Sequence, residues 1–454
     1  MMGQTTYNPR MSKSKKCPAK INVLIFGNGG REHALAKKLA ESDRLGDFYT
    51  TQPGNPGIDA LAQPVDVPYD IKQAYRMQQF CDHHNIGMVV IGPEDPLADG
   101  WADILAKEDR VVFGPTKAGA QLESSKAWAK QIMRQAAIPT AESRTFVSLS
   151  AAEEYARTRD EPVVVKASGL AKGKGVILCN TPEETLDAID RIMRRREFGS
   201  AGDTLIIEER LQGQEVSIFA LVDGRNIWLL DPCQDHKQAY EHDKGPNTGG
   251  MGAYCPTPVV DREVMTEIQR DIIVPTVDAL RKEGIEYRGV LYAGLMLTPG
   301  GPKVLEYNVR FGDPECQALL TRLRCDLVDV LWSTASGNLE NCDIEVDPRV
   351  ACCVVMASDG YPGKYETGHL ITGIEQAELE KDATVYFAGV KKNAAGEYLT
   401  NGGRVLSVTA LGNSLEEARD KANDICGKIH FKGAHWRKDI GWRVLNTGSG
   451  VANT

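Results

Sequence analysis

The chain has 454 residues, 42% hydrophobic and 25% charged, with a formal net charge of −9. That length exceeds one ordinary core, so several domains are expected, and the balance is that of a soluble globular protein. No apolar run approaches the roughly 20 residues of a bilayer span, and lysines and arginines form no basic face, so neither membrane nor nucleic acid is an expected partner.

The first 19 residues are polar and basic (Arg10, Lys13, Lys15, Lys16) and lack an apolar h-region. They read as a flexible tail rather than a secretory signal. The eleven cysteines are odd in number and never at Cys-x-x-Cys spacing; Cys352 and Cys353 lie inside an apolar run. Reduced thiols in a cytoplasmic protein are expected, without a disulfide framework or zinc site.

The first expected strand is Ile21–Phe26, running into Gly27-Asn-Gly-Gly-Arg-Glu-His-Ala34 at the start of a helix. Glycines let a ligand approach the backbone, and helix-start N–H groups attract anions. The loop suits either a phosphate or a tight turn with no ligand. Strands at 47–51, 88–91 and 111–113 alternate with helical stretches, which implies a parallel sheet covered on both faces. The second strand ends Tyr49-Thr-Thr-Gln52, without the acid that would hold a dinucleotide ribose.

A helix is expected over 118–137, then β-rich segments at 162–166, 175–178 and 205–208. Lys166 ends a three-valine run, and the loop to Gly175 carries three glycines with Lys172 and Lys174. It reads as a mobile cover for a triphosphate or as a solvated surface loop; its spacing is not a Walker A motif. Glu208-Glu209-Arg210-Leu211 before Glu215 could hold a nucleoside, but an ordinary acidic turn looks the same. The segment 232–258 reads as one long irregular loop, a length that is commonly functional. A helix over 262–282 and strands at 289–298 and 303–306 follow.

Glu306 and Asn308 are two apart on a strand, so both oxygens face one side. Carboxylate and amide oxygens suit a hard divalent cation. Arg310 shares that face if the strand continues, ahead of the carboxylate-rich turn Phe311-Gly-Asp-Pro-Glu315. Strands at 351–356 and 404–409 suggest a small closing α/β domain.

Together these segments resemble the glycinamide ribonucleotide synthetase (phosphoribosylamine–glycine ligase) family. The resemblance spans about residues 21–443. It rests on the first glycine loop, Pro53-Gly-Asn55, Gly92-Pro-Glu-Asp-Pro-Leu97, Gly114-Pro-Thr-Lys117 and Gln234-Asp-His-Lys237. Further support comes from Gly245-Pro-Asn-Thr-Gly-Gly-Met-Gly-Ala-Tyr254, Tyr287–Met296, Asn308–Glu315, Thr400-Asn-Gly-Gly-Arg-Val405 and Asp439-Ile-Gly-Trp-Arg443.

The resemblance implies an α/β ATP-grasp fold with four parts. These are a tail (1–19), an N-terminal nucleotide-fold domain (20–121), an ATP-grasp domain (122–344, lid about 140–205) and a C-terminal α/β domain (345–445). It implies that Lys126, Lys166 and Lys174 meet ATP phosphates, with Lys174 and Arg310 in catalysis. Glu208, Glu209 and Leu211 would hold adenine, and Glu215 the ribose. Glu306 and Asn308 would bind Mg²⁺ or Mn²⁺. Asp235, Asn247, Thr248, Gly249, Gly250, Arg310 and Asp313 would line the substrate side, and Gly29, Gly30 and Arg31 would take the sugar phosphate. The implied reaction joins glycine to 5-phosphoribosylamine through glycyl phosphate, using ATP in purine synthesis. Three positions depart from the family pattern: Ser168 in place of an aspartate, Lys172 in place of a small residue, and Gln238 in place of an arginine. A carboxylating ATP-grasp enzyme, a nucleotide-binding scaffold without catalysis and a nicotinamide dehydrogenase are the rival readings.

Overall fold

The computed structural model describes residues 16–171 and 173–445. Most of the expected tail, and Lys172, lie outside the described residues. The first strand is Ile21–Phe26 at the centre of a five-stranded parallel sheet, flanked by Leu45–Thr50 and Ile86–Ile91, with Gln63–Pro64 and Val111–Phe113 outside. Val23, Leu24, Ile25 and Phe26 are fully buried, as expected for a strand covered on both faces.

A second sheet is antiparallel, in the order Ser143–Phe146, Leu205–Glu209, Val163–Ala167, Val176–Cys179. Its apolar face closes a small core of its own with Ala152, Ala156, Ile189 and Ile192. Each of the two buried isoleucines contributes roughly 1.5–3 kcal/mol. A third sheet, also antiparallel, runs Ile227–Leu229, Gln214–Asp223, Arg288–Thr298, Gly301–Asn308. Between it and the parallel sheet lies the helix Leu327–Ser336, buried except at Asp329, capped by Asp326 and closed by Gly337 at φ +76°.

Three expectations are corrected. The helix over 118–137 is two helices, Lys117–Ser124 and Lys126–Gln135. Ser125 is extended (φ −140°, ψ 92°) and its hydroxyl accepts from Trp128 N, so it starts the second helix instead of continuing the first. The segment 232–258 is not irregular: Gln234–Asp235 pairs with Gly252–Cys255, and Gln238–Tyr240 with Lys244–Asn247. Short strands with glycine and proline between them carry little period-2 pattern, which is why they read as loop. Finally, the strand holding Glu306 ends at Asn308, so Arg310 leaves the ladder.

The hairpin 234–255 does not pack on its chain neighbours alone. Gly252–Cys255 joins Val350–Ser358, Arg404–Gly412 and Ala383–Phe387 in a six-stranded sheet. The closing α/β part of the chain therefore takes this hairpin into its own sheet. All eleven cysteines are free, most of them buried. Among the described residues no helix is long and apolar enough to cross a membrane.

Candidate active site

The segments singled out in the sequence converge where the second and third sheets face each other. Lys126 begins the helix Lys126–Gln135, and its backbone N–H donates to Ser168 O at 2.9 Å. Ser168 Oγ accepts from Ala127 N at 3.0 Å. Serine at this position thus supplies a neutral acceptor that fixes Lys126 beside the strand carrying Lys166.

Lys166 is buried, donates to Leu305 O at 3.1 Å and is ion-paired with Glu208. The other Glu208 oxygen faces Lys130 at 2.7 Å, and Lys130 also donates to Thr140 Oγ1 at 2.8 Å. One buried carboxylate therefore holds two lysines, and Lys130 was not evident as a site residue from sequence. Glu209 is exposed and accepts from Glu142 N and Lys303, while Leu211 is half-buried just beyond the strand end. Lys174 is exposed on the connecting loop, its N–H bonded to Ala171 O at 2.9 Å.

Glu306 is half-buried and Asn308 buried, on adjacent same-face positions of one strand. Burial alone raises the Glu306 carboxyl, but the charges of Lys237, Lys126, Lys166 and Arg310 outweigh that and hold it below the usual carboxylate range. The ionised carboxylate and the amide oxygen next to it are the hard donors that a divalent cation needs. Two protein oxygens fit a cation that completes its shell with water and nucleotide phosphate, and among the described residues no set of three or more His, Cys, Asp or Glu side chains forms a metal cage.

Arg310 donates to Glu94 Oε2 at 3.2 Å and lies 2.8 Å from Glu123 Oε1. Burial opposes its charge, but Glu123 and Glu94 raise its pKa. Glu94 comes from the parallel-sheet part, so the arginine ties two parts of the molecule together. Arg31 does the same: its guanidinium bonds Glu32 Oε1 at 2.6 Å and Phe311 O at 3.0 Å, and it is buried.

At the first glycine loop, Gly29 N–H is already donated to Glu32 Oε2 at 2.8 Å. Gly27 has φ +99°, and a Cβ there would lie 2.6 Å from Glu32 Cγ, so only glycine fits. The loop borders a cavity of about 390 Å³ that is also lined by Asp313, Tyr361, Gly389 and Arg404. Asp313 is ion-paired to Arg404 at 2.9 Å and accepts from Gln317 Nε2 at 2.9 Å.

The hairpin contributes next to this. Burial pushes the Asp235 carboxyl up to about 7; Lys237 opposes the shift, and Glu315 and Glu215 add to it. Lys237 binds Glu215 at 2.6 Å and lies 3.9 Å from Asp235. Its charge holds the Glu215 carboxyl below the usual carboxylate range, against the opposing effect of burial. Thr248 donates twice to Lys237 O, once from N and once from Oγ1, each at 2.7 Å, and its hydroxyl accepts from Gly250 N at 2.9 Å. Gly249 is exposed in the link between the strands Lys244–Asn247 and Gly252–Cys255, as is Asn247 before it. Gln238, one of the departures, pairs with Asn247 in the ladder. Arg404, Tyr361, Glu94 and Glu123 were not singled out in the sequence. Arg404 and Glu94 lay within quoted strings, Thr400–Val405 and Gly92–Leu97, that gave neither of them a role.

Residues 21–123, 124–316 and 351–443 match, in turn, the N domain, the ATP-grasp (A) domain and the C domain of phosphoribosylglycinamide synthetase. A phosphoribosylamine–glycine ligase of Rhodopirellula baltica is 51% identical over 436 residues, 94% of this chain and 99% of that one. The crystal structure of a phosphoribosylamine–glycine ligase from Thermotoga maritima is similar at TM-score 0.75 and 34% identity, covering 92% of this chain and 100% of the other. The biotin carboxylase domain of a Hydrogenobacter thermophilus 2-oxoglutarate carboxylase reaches TM-score 0.70 over 91% of each chain at 15% identity, a likeness of fold alone. With its three parts matched in order along nearly its whole length, the chain belongs to the phosphoribosylglycinamide synthetase family of ATP-grasp ligases.

Proposed function

We propose that the chain joins glycine to 5-phosphoribosylamine at the expense of ATP, giving glycinamide ribonucleotide, ADP and phosphate in purine biosynthesis in the cytoplasm. The observation that carries this reading is the meeting of Lys126, Lys166, Glu306 and Arg310 beside a glycine-rich hairpin, in a chain of this family. A carboxylate is a poor acyl donor because its leaving group is poor. Transfer of the γ-phosphoryl group to the glycine carboxylate forms glycyl phosphate and ADP. The amine of phosphoribosylamine then attacks the acyl carbon and phosphate leaves.

No protein nucleophile is required, so the protein's work is positioning and charge stabilisation. Lys126, Lys166 and Lys174 offset charge on the phosphates, and Arg310 meets the transferring group. Glu208, Glu209 and Leu211 face adenine, and Glu215 the ribose. Glu306 and Asn308 would hold Mg²⁺ or Mn²⁺, which supplies charge neutralisation at the phosphates. The hairpin residues Asp235 and Asn247 to Gly250, with Asp313, border glycine and the amine. The cavity beside Gly29 and Gly30 accepts the ribose phosphate, with Arg31 bracing its floor from within the protein. The second sheet has its own core, which suits a lid that moves as a unit and keeps water from the acyl phosphate.

ADP release with ATP and a divalent cation, glycine and fresh phosphoribosylamine added separately and together, tests this reading. ADP in strict dependence on both, with one glycinamide product per ATP, is expected. Bicarbonate replacing glycine would indicate a carboxylase, and no ADP despite ATP binding an inactive scaffold.

A further inference from the structure

Arg404 stands at the start of the strand Arg404–Gly412, in the six-stranded sheet and outside the nucleotide side of the molecule. Its guanidinium nevertheless reaches two separate segments of the site. Nη1 donates to Gly249 O at 2.8 Å and to Asp313 O at 2.7 Å, while Nη2 donates to Asp313 Oδ2 at 2.9 Å. From the same sheet region, Tyr361 OH accepts from Gly249 N at 3.0 Å. The backbone of one glycine, in the link between the strands Lys244–Asn247 and Gly252–Cys255, is thus held at both its N–H and its carbonyl. At the edge of the cavity, a Cβ at Gly29 would lie 3.9 Å from Asp313 Oδ2, and one at Gly30 would lie 3.8 Å from Asp313 Oδ1. The glycine loop and the carboxylate turn therefore face each other at contact distance, with Arg404 behind the turn.

We infer that Arg404, supported by Tyr361, is a positioning residue for phosphoribosylamine: one guanidinium carries both the Gly249 link that follows the strand Lys244–Asn247 and the Asp313 turn, and so sets the shape of the cavity beside the first glycine loop. The inference rests on the reading that this cavity and its borders form the substrate side. Planar, forked donors can hold two carbonyls and a carboxylate at once, which a lysine ammonium on a flexible stem does with less geometric definition. A wall fixed before the substrate arrives lowers the ordering cost of binding. Because Arg404 lies away from Lys166 and Glu306, its loss falls on substrate affinity rather than on ATP.

The test is steady-state kinetics of the full chain, with phosphoribosylamine generated in place from ribose 5-phosphate and ammonia. The variants are Arg404→Met, Arg404→Lys, Tyr361→Phe and Asp313→Asn, with ATP binding and melting temperature measured alongside. Arg404→Met is expected to raise KM for phosphoribosylamine by about tenfold or more, with ATP affinity kept within about twofold; Arg404→Lys should recover part of the loss. A wild-type KM in Arg404→Met together with a raised KM in Asp313→Asn would overturn the role of Arg404 and leave the substrate-side reading standing. Wild-type KM values in both variants would remove the substrate-side reading as well. If Arg404→Met does not fold, Arg404→Lys and Tyr361→Phe decide: a rise in KM larger than the fall in kcat supports the inference, and an unchanged KM overturns it.

Discussion

The ammonium of Lys130 lies 2.7 Å from Glu208 Oε2, and both side chains are less than a tenth exposed. Lys166 occupies the other side of the same carboxylate. Removing one member of a buried ionic group leaves the others uncompensated, at a cost of about 3–5 kcal/mol. Glu208→Gln should therefore lose about that much stability in urea unfolding, and ATP affinity with it, because Lys166 loses its anchor. Lys130→Met should lose stability while Lys166, still paired, preserves more of the ATP affinity. Equal ATP binding by Glu208→Gln and the unaltered protein would show that the pair does not orient Lys166.

Glu306 is the anion among Lys126, Lys166, Lys237 and Arg310. Its replacement by alanine removes a proposed cation ligand without opening the core, since the side chain is only half-buried. Turnover should fall by about 10³-fold or more while circular dichroism and melting temperature stay near their original values. Near-normal activity in Glu306→Ala would take this residue out of its proposed role.

Gly250 has φ +115°, and a Cβ there would lie 2.7 Å from Pro314 Cδ. Gly250→Ala must shift either the 248–251 link or the Asp313 turn, with strain of about 1–3 kcal/mol. Gly249 lacks a positive φ, and its added Cβ would first meet Tyr361 OH at 3.2 Å. The substrate KM should therefore rise more in Gly250→Ala than in Gly249→Ala; the reverse order would contradict the hairpin geometry.

Burial, reinforced by Lys37, lowers the His33 imidazole to about 3, and its Nδ1 accepts from Phe387 N at 2.8 Å. The folded state keeps this ring neutral while the unfolded chain protonates it near the ordinary value. The stability it supports is thus present above pH about 6.5 and lost as pH falls from there toward the folded value, at up to about 1.4 kcal/mol per pH unit. His33→Gln should be less stable at pH 8 yet show a flatter acid limb in melting temperature between pH 6.5 and 4. An unchanged acid slope would show that His33 does not carry this linkage.

Much of the fold was legible from period and composition. The first strand, its glycine turn and the alternation with helices marked a parallel sheet because a strand buried on both faces is apolar throughout. The Glu306 and Asn308 pairing was legible because side chains two apart share a strand face whatever the surroundings. The break at Ser125 was not, since a serine within an apolar period reads as part of the helix until its hydroxyl is seen to cap the next one. Arg31 illustrates a different limit: next to a glycine loop it resembles an anion ligand, yet its guanidinium bonds Glu32 and a carbonyl 280 positions away in the chain.

By itself the sequence determined most of the local elements and the family, because these depend on short spacings and on side-chain type. Only the tertiary structure decided which of them act together. The hairpin joins the six-stranded sheet, Glu208 serves two lysines, and Arg404 reaches Gly249 from 155 positions away. Such pairings form only when separate sheets pack and exclude water, so that each buried charge must find its partner wherever in the chain that partner lies.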